Sequence, residues 1–278
     1  INTVAGDDII NAAEAGADQT ISGVVTRAAA GDTVTVTLGG NTYTTTVQGN
    51  LSWSISVPAA DLQALGNGDL TINASVTNAN GNTGSGTRDI TIDANLPGLR
   101  VDTVAGDDIV NSIEHGQALV ITGGSSGLNA GVPLTITING TAYSATVQAD
   151  GSWSVSVPTG DLANLTASPY TVSAAVSDKA GNPASATHNL TVDLVAPVVT
   201  INTVAGDDII NATEHGQAQI ISGSATGAAT GSAVTVTIGT NTFTTVLDAS
   251  GNWSVGVPAA DVTALGSGPQ TVTATVTD

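Results

Sequence analysis

Residues 32–57 read "DTVTVTLGGNTYTTTVQGNLSWSISV". In "DTVTVTL" (32–38), "TYTTTVQ" (42–48) and "SWSISV" (52–57), apolar and polar residues alternate with period two, so each run sends one set of side chains to each face of an extended strand. Thr and Val dominate, and both suit a pleated surface. "LTINASV" (70–76) repeats the pattern, and the Gly, Asn, Asp and Pro between the runs are turn formers. The one helical hint is "PAADLQALGNG" (58–68), where Pro near the start and Gly at the end suit a single short turn of helix.

Working outward, the same text returns every 100 residues. Trp53, Trp153 and Trp253 keep this step, as do Pro58, Pro158 and Pro258, and Gly31, Gly131 and Gly231. "GN" at 81–82 returns at 181–182. A period this long exceeds the roughly 20–50 residues of solenoid repeats, so each unit is a whole domain. About seven short strands with regular turns in about 100 residues read as a sandwich of immunoglobulin type. The expected fold is all-β: a tandem array of immunoglobulin-like β-sandwich domains over 1–95, 96–195 and 196–278, forming an elongated rod. In the middle unit, strands A to G fall near 98–105, 117–123, 132–138, 142–148, 152–157, 170–177 and 185–193. Pro97 and Pro197 stiffen the links, which are too short for independent tumbling. By this register the third unit ends with its strand F, and its strand G is missing.

The chain carries 23 acidic and 4 basic residues, a net charge of −19. Nucleic acid needs a basic footprint and an anionic membrane needs basic residues, so both are excluded as partners. With 41 % hydrophobic and only 10 % charged residues, the chain has a core to bury and is not disordered. There is no cysteine, hence no disulfide, which makes a metal ion more attractive as a stabiliser. There is no methionine either, so the chain reads as a segment of something longer. No signal peptide is visible and no run spans a bilayer.

The acidic residues recur at fixed places. "GDD" stands at 6–8, 106–108 and 206–208, Glu14 returns as Glu114 and Glu214, and Asp93 returns as Asp193. If strand A runs the length of the domain, Asp107, Asp108 and Glu114 lie in the A–B loop at its exit, beside Asp193 at the end of strand G. The same reasoning gathers Asp7, Asp8, Glu14 and Asp93 at the first exit, facing Asp178 and Asn182 of the next domain's F–G loop. Asp207, Asp208 and Glu214 repeat the pattern in the third domain, whose own F–G loop begins at Asp278. Such carboxylates with carbonyl oxygens suit Ca2+, which takes 6–8 oxygens in loose geometry, better than Mg2+. Zinc would want His or Cys. No EF-hand spacing is present, and the alternative reading is that Asp and Asn are simply good turn and cap residues. Capping is the expectation for Asp61, Asp161 and Asp261. Hairpin turns account for Asp150 and Asp248.

The combination of "TINTVAGDDIINATEHG" (200–216), "GNWSVGVPAADVTALGSG" (251–268), "SDKAGN" (177–182) and "TVDLVAP" (191–197) resembles the bacterial immunoglobulin-like repeats of giant type I-secreted non-fimbrial adhesins. The resemblance covers essentially the whole chain. It implies a monomeric rod of tandem domains, secreted to the bacterial surface, with calcium at domain junctions and the host cell bound by other parts of the protein. Carried over by position, the calcium-type acids fall on Asp7, Asp8, Asp107, Asp108, Asp207 and Asp208, and the linker acids on Asp93 and Asp193. The first repeat departs from the pattern: Asn78 stands where the second has Asp178.

The leading functional expectation is a structural spacer whose neighbouring repeats are each other's partners. A second is a ligand- or glycan-binding module, which would need exposed aromatics. The three Trp follow strands, and Tyr43, Tyr143 and Phe243 share one equivalent position, so both sets read as structural. An enzyme is disfavoured: His115 and His215 are equivalent loop residues with Ala15 in the first repeat, and nothing selects a Ser, His and acid set.

Overall fold

The computed structural model describes residues 1–277; Asp278, one of the expected acids, lies outside the described residues. The first sandwich contains β1 (Ile9–Asn11), α1 (Ala12–Ala15), β2 (Gln19–Val24), β3 (Thr33–Leu38), β4 (Asn41–Thr46), β5 (Ser52–Val57), α2 (Ala59–Leu65), β6 (Gly68–Thr77) and β7 (Thr83–Asp93). Its sheets are β1-β7-β6-β3-β4 and β2-β5.

The second sandwich contains β8 (Gly98–Val101), β9 (Ile109–Val110), β10 (Leu119–Ser126), β11 (Pro133–Ile138), β12 (Thr141–Thr146), β13 (Ser152–Val157), α3 (Thr159–Leu162), β14 (Ser168–Ser177) and β15 (Pro183–Val192). These pair as β13-β10-β8 and β12-β11-β14-β15-β9. The third contains β16 (Val198–Ile201), β17 (Gln219–Thr226), β18 (Ala233–Ile238), β19 (Asn241–Val246), β20 (Asn252–Val257), α4 (Ala259–Ala264) and β21 (Val272–Val276), paired as β16-β17-β20 and β19-β18-β21. By contact density the chain forms two compact units. One holds Ile1–Val110 and Glu114–Val192, and so contains the first two sandwiches; the other holds Asn111–Ile113 and the residues from Asp193 onward.

The alternation in the sequence becomes the core. In β3, Val34, Val36 and Leu38 are buried, and they meet Ile72 of β6 and Ile90 and Ile92 of β7. The intervening Thr residues face outward. Each buried aliphatic of this kind contributes about 1.5–3 kcal/mol. The three Trp are core residues at 3 %, 1 % and 3 % exposure, as expected. Each stands opposite a glycine in the neighbouring strand: Gly23 with Trp53, Gly123 with Trp153, and Gly223 with Trp253. A Cβ on Gly23 would come within 2.7 Å of the Trp53 ring. The small residue is what lets the indole lie flat against the sheet.

Strand A does not run unbroken as expected. In the second sandwich β8 ends at Val101 and pairs with β10, whereas β9 resumes at Ile109 in the opposite sheet, parallel to β15. The first sandwich makes the same crossover, with β1 parallel to β7. "VAGDD" is the turn that carries the chain from one sheet to the other.

Candidate functional site

This crossover turn requires backbone that most residues avoid. Ala5, Gly6 and Asp8 have φ of 54°, 104° and 68°, and the equivalent residues of the other two repeats match them. Glycine takes such φ freely, and aspartate tolerates it because its short polar side chain bonds locally. Asp8 does so twice over: its N–H donates to the Val4 carbonyl at 2.9 Å, and its Oδ1 accepts the Val4 N–H at 3.0 Å. Asp108 with Val104 and Asp208 with Val204 repeat the exchange. Asp7, Asp107 and Asp207 each accept the N–H two residues on, at 3.0 Å. The threefold return of the acid pair is the threefold return of one turn.

The turn's second carboxylate also meets a cation from the neighbouring strand. Arg88 of β7 donates to Asp8 through Nε at 2.6 Å and Nη2 at 2.5 Å, and through Nη1 to the Ile1 carbonyl. The guanidinium holds the Asp8 carboxyl below the usual range, with partial burial opposing it and the Val4 N–H adding to it. In the second sandwich His188 Nε2 lies 2.7 Å from Asp108 Oδ1. There the Val104 N–H is the larger cause of the lowered Asp108 pKa and the His188 hydrogen bond the second. The position of this pair in the register corrects the expected placement. The Asp8 carbonyl accepts from Thr91, and Asn11 pairs with Asp93. Asp7 and Asp8 therefore stand three to four residues, about 10 Å or more, before the exit. Asp107 and Asp108 stand likewise beside β15, not at Asp193.

A different set meets at the joint of the first two sandwiches. Asn182, in the turn between β14 and β15, is 1 % exposed and is the one buried polar side chain among the described residues. Its Nδ2 donates to the Asp93 carbonyl at 2.8 Å and to Asp178 Oδ2 at 2.9 Å, while its Oδ1 accepts the Ala12 N–H at 2.7 Å. Its own N–H donates to Asp178 Oδ1 at 2.8 Å, which shapes the turn. Two of these bonds cross from one sandwich to the other. Asp178, Asn182 and Asp93 lie together, and Asp93 meets Asn182 through its backbone carbonyl. Its carboxylate accepts the Asn95 N–H at 3.3 Å. Glu14 closes a capping box with Asn11 at the start of α1, a local role also seen for Glu214 with Asn211. The equivalent turn of the first sandwich, Asn78 to Asn82, keeps the shape, with Asn82 exposed.

Among the described residues no three His, Asp or Glu side chains gather as a metal cluster. Calcium takes 6–8 oxygens; at the joint, the Asp93 carbonyl and both Asp178 carboxylate oxygens accept from Asn182. No helix is long and apolar enough to cross a membrane.

Another pairing escaped the sequence reading. The N-cap of α2 is Pro58, with no side-chain cap, and Asp61 instead accepts the Tyr43 hydroxyl at 2.7 Å. Tyr143 and Asp161 do the same at 2.8 Å. Burial first, then the carboxylate, pushes both phenols up to about 12. Phe243 carries no hydroxyl for Asp261. The signal was present as an aromatic and an acid separated by 18 residues in every repeat, but periodicity alone does not pair them.

Residues 104–194 match the model of the bacterial Ig-like domain. A segment of a 1.5-MDa bacterial ice-binding adhesin is 34 % identical over 99 % of this chain and 95 % of its own, with a TM-score of 0.44. The chain belongs to the bacterial Ig-like domain family. The identity over nearly the full length of both chains carries this assignment, not the superposition. A Ca2+-stabilized adhesin that helps an Antarctic bacterium bind ice is 35 % identical over 99 % of this chain and 72 % of its own, with a TM-score of 0.44. A single bacterial immunoglobulin-like domain from the M. primoryensis ice-binding adhesin is 34 % identical over 36 % of this chain and all of its own, with a TM-score of 0.29. No curated protein matches the chain. These bacterial Ig-like repeats are thus homologous to repeat regions of large bacterial surface adhesins.

Proposed function

We propose that the chain is a non-catalytic spacer in a very large, type I-secreted bacterial surface adhesin, acting outside the cell to hold an adhesive region toward a host surface. The finer resemblance to repeats of the giant non-fimbrial adhesin SiiE, and a role in virulence, belong to this proposal. The observation that supports it best is the Asn182 joint. A buried carboxamide bonded to Ala12 and Asp93 resists bending between the first two sandwiches, because opening it leaves polar groups unpaired. A spacer uses such a joint, whereas an isolated ligand-binding module does not need one. The buried Trp residues leave no aromatic platform of their own for a sugar.

Calcium forms the second part of the proposal. It is supported by the net charge of −19 and by the relative described as Ca2+-stabilized. The acids that would receive the ion are those outside the Arg88 and His188 pairs, chiefly Asp7, Asp93, Asp107, Asp193 and Asp207. Thermal unfolding and small-angle scattering in millimolar Ca2+ and then in chelator separate the two parts. A raised Tm with a longer, stiffer particle in Ca2+ supports both. Identical curves in the two buffers remove calcium from the account, and a particle that bends freely in either buffer removes the spacer.

A further inference from the structure

The chain has 4 basic residues, and the fold treats them differently. Arg88 lies within β7, its guanidinium bonded to Asp8, the Ile1 carbonyl and Thr3. Arg100 lies within β8, paired with Asp102 and opposite Gly124 of β10. Arg27 is exposed in the loop after β2, and Lys179 is exposed in the turn between β14 and β15. A protease that recognises a basic residue draws its target segment into an extended form, so bonds held in a ladder are refused and loop tips are taken. Two bonds are left for such an enzyme, Arg27–Ala28 and Lys179–Ala180.

The second bond is held shut. Lys179 is exposed, but Ala180, on the far side of the bond, is 5 % exposed. The turn closes on itself: the Asp178 N–H donates to the Asn182 carbonyl at 3.0 Å, and the Gly181 N–H to the Asp178 carbonyl at 3.1 Å. Asn182 ties the turn to the first sandwich through the Ala12 N–H and the Asp93 carbonyl. Asn11 borders the same turn, for a Cβ on Gly181 would lie 3.7 Å from its Nδ2. While the bonds across the joint stand, the turn cannot be drawn out into an extended strand.

We propose that Lys179–Ala180 is a joint-gated cleavage site for proteases of trypsin type, whose specificity pocket takes a basic side chain before the bond to be cut. The proposal rests on Asn182 fastening the joint. Opening of the joint frees the turn. Hydrolysis then adds one water across the amide, breaking the C–N bond and leaving a carboxylate on Lys179 and an amine on Ala180. The cut separates β14 from β15 along the chain, and the ladder from Ser168 with Val192 to Ser177 with Pro183 holds the two pieces together. At low protease, opening and closing are fast relative to cleavage, so the cutting rate follows the population of the open joint.

The test digests the 278-residue chain with dilute trypsin and follows the fragments by mass spectrometry. In the parent, the cut after Arg27 should be about tenfold or more faster than the cut after Lys179. Two variants open the joint from opposite sides. Asn182→Ala removes both crossing bonds and should speed the Lys179 cut about 30- to 150-fold. Ala12→Pro removes only the donor to Asn182 Oδ1 and leaves the turn untouched; position 12 opens α1 after an extended Asn11, where proline is accepted. It should speed the same cut about tenfold. The cut after Arg27 should stay within about twofold in both variants. A parent cut after Lys179 as fast as after Arg27 overturns the proposal, as does an Ala12→Pro chain cut there no faster than the parent. Amide exchange at Ala12 in the Asn182→Ala chain tells the cleavage site from the joint. Faster exchange with an unchanged Lys179 cut removes the site and keeps the joint, whereas unchanged exchange removes both.

Discussion

Asn182→Ala isolates the joint between the first two sandwiches. The substitution removes three side-chain hydrogen bonds, of which two, to the Ala12 N–H and the Asp93 carbonyl, cross the joint. The backbone bond from Asn182 to Asp178 survives, so the turn itself persists. A buried polar group stripped of its partner costs about 1–3 kcal/mol. Ala12 and Asp93 are half-buried, and water relieves part of that, so about 2–3 kcal/mol for the two together is the expected loss. At 1.4 kcal/mol per tenfold, joint opening becomes about 30- to 150-fold more frequent. Amide exchange at Ala12 reads this locally and does not depend on two-state unfolding of the whole chain. Asn82→Ala is the internal control: the same turn, the same residue, but exposed, with an expected effect within about 0.5 kcal/mol. Equal effects from the two substitutions, or unaltered exchange at Ala12 in the Asn182→Ala protein, would refute the reading of Asn182 as the fastener.

Three more expectations follow from the same contacts. Gly123→Ala drives a Cβ into the Arg100 carbonyl and the Trp153 ring and should destabilise the second sandwich by about 1–3 kcal/mol, whereas Gly256→Ala, with open space around it, should be neutral; denaturant midpoints compare them. Arg88→Ala should raise the Asp8 carboxyl toward the ordinary value near 3.9, short of a full return because the Val4 N–H remains. Because folding depresses this pKa, its stabilisation is present above about pH 4 and lost as pH falls through the folded value; carboxyl-carbon NMR in acid would show Asp8 unmoved if the pair is absent. Asp108→Asn keeps an oxygen for the Val104 N–H and a side chain that tolerates positive φ, so it should unfold closer to the parent than Asp108→Ala; a reversed order by thermal denaturation would count against the turn.

The strands were readable because their information is local. Alternation in "DTVTVTL" states both the period and the buried face, and the 100-residue step in Trp53, Trp153 and Trp253 multiplies the signal by three. The interruption of strand A was not readable in the same way. "VAGDD" contains one glycine and no proline, and its left-handed residues include Ala5, which gives no compositional warning of a positive φ. The change of sheet that follows depends on β7 being present to receive β1 in parallel, a contact more than 80 residues away. Placing the acids at the domain exit assumed an unbroken strand, and that one assumption displaced the first two GDD motifs by about 10 Å or more. Glu14 stands beside Asn11, which pairs with Asp93, and its carboxylate three residues on serves the helix start, a local capping role that the spacing of acids does not reveal.

Two kinds of demand act on the repeated acids, and the chain separates them by position. The turn's demand is confined to Val4 and Ile9, or their equivalents, and the same two aspartates meet it in all three repeats. The charge left over after the turn is made must be met from another strand, and there the repeats differ: Arg88 in one, His188 in the next. Guanidinium is charged at every accessible pH, whereas imidazole is charged only when protonated. The first crossover therefore keeps its ion pair across the neutral range, and the second holds a full ion pair only where His188 carries its proton. Identical turns thus take unlike partners while sharing one fold. The joint at Asn182 uses neutral groups on the side-chain amide and backbone, apart from Asp178, so its strength depends little on salt compared with that of the crossover pairs. Bonding across the joint of the first two sandwiches and charge balance within them are thus carried by different residues, and substitution of one set should leave the other in place.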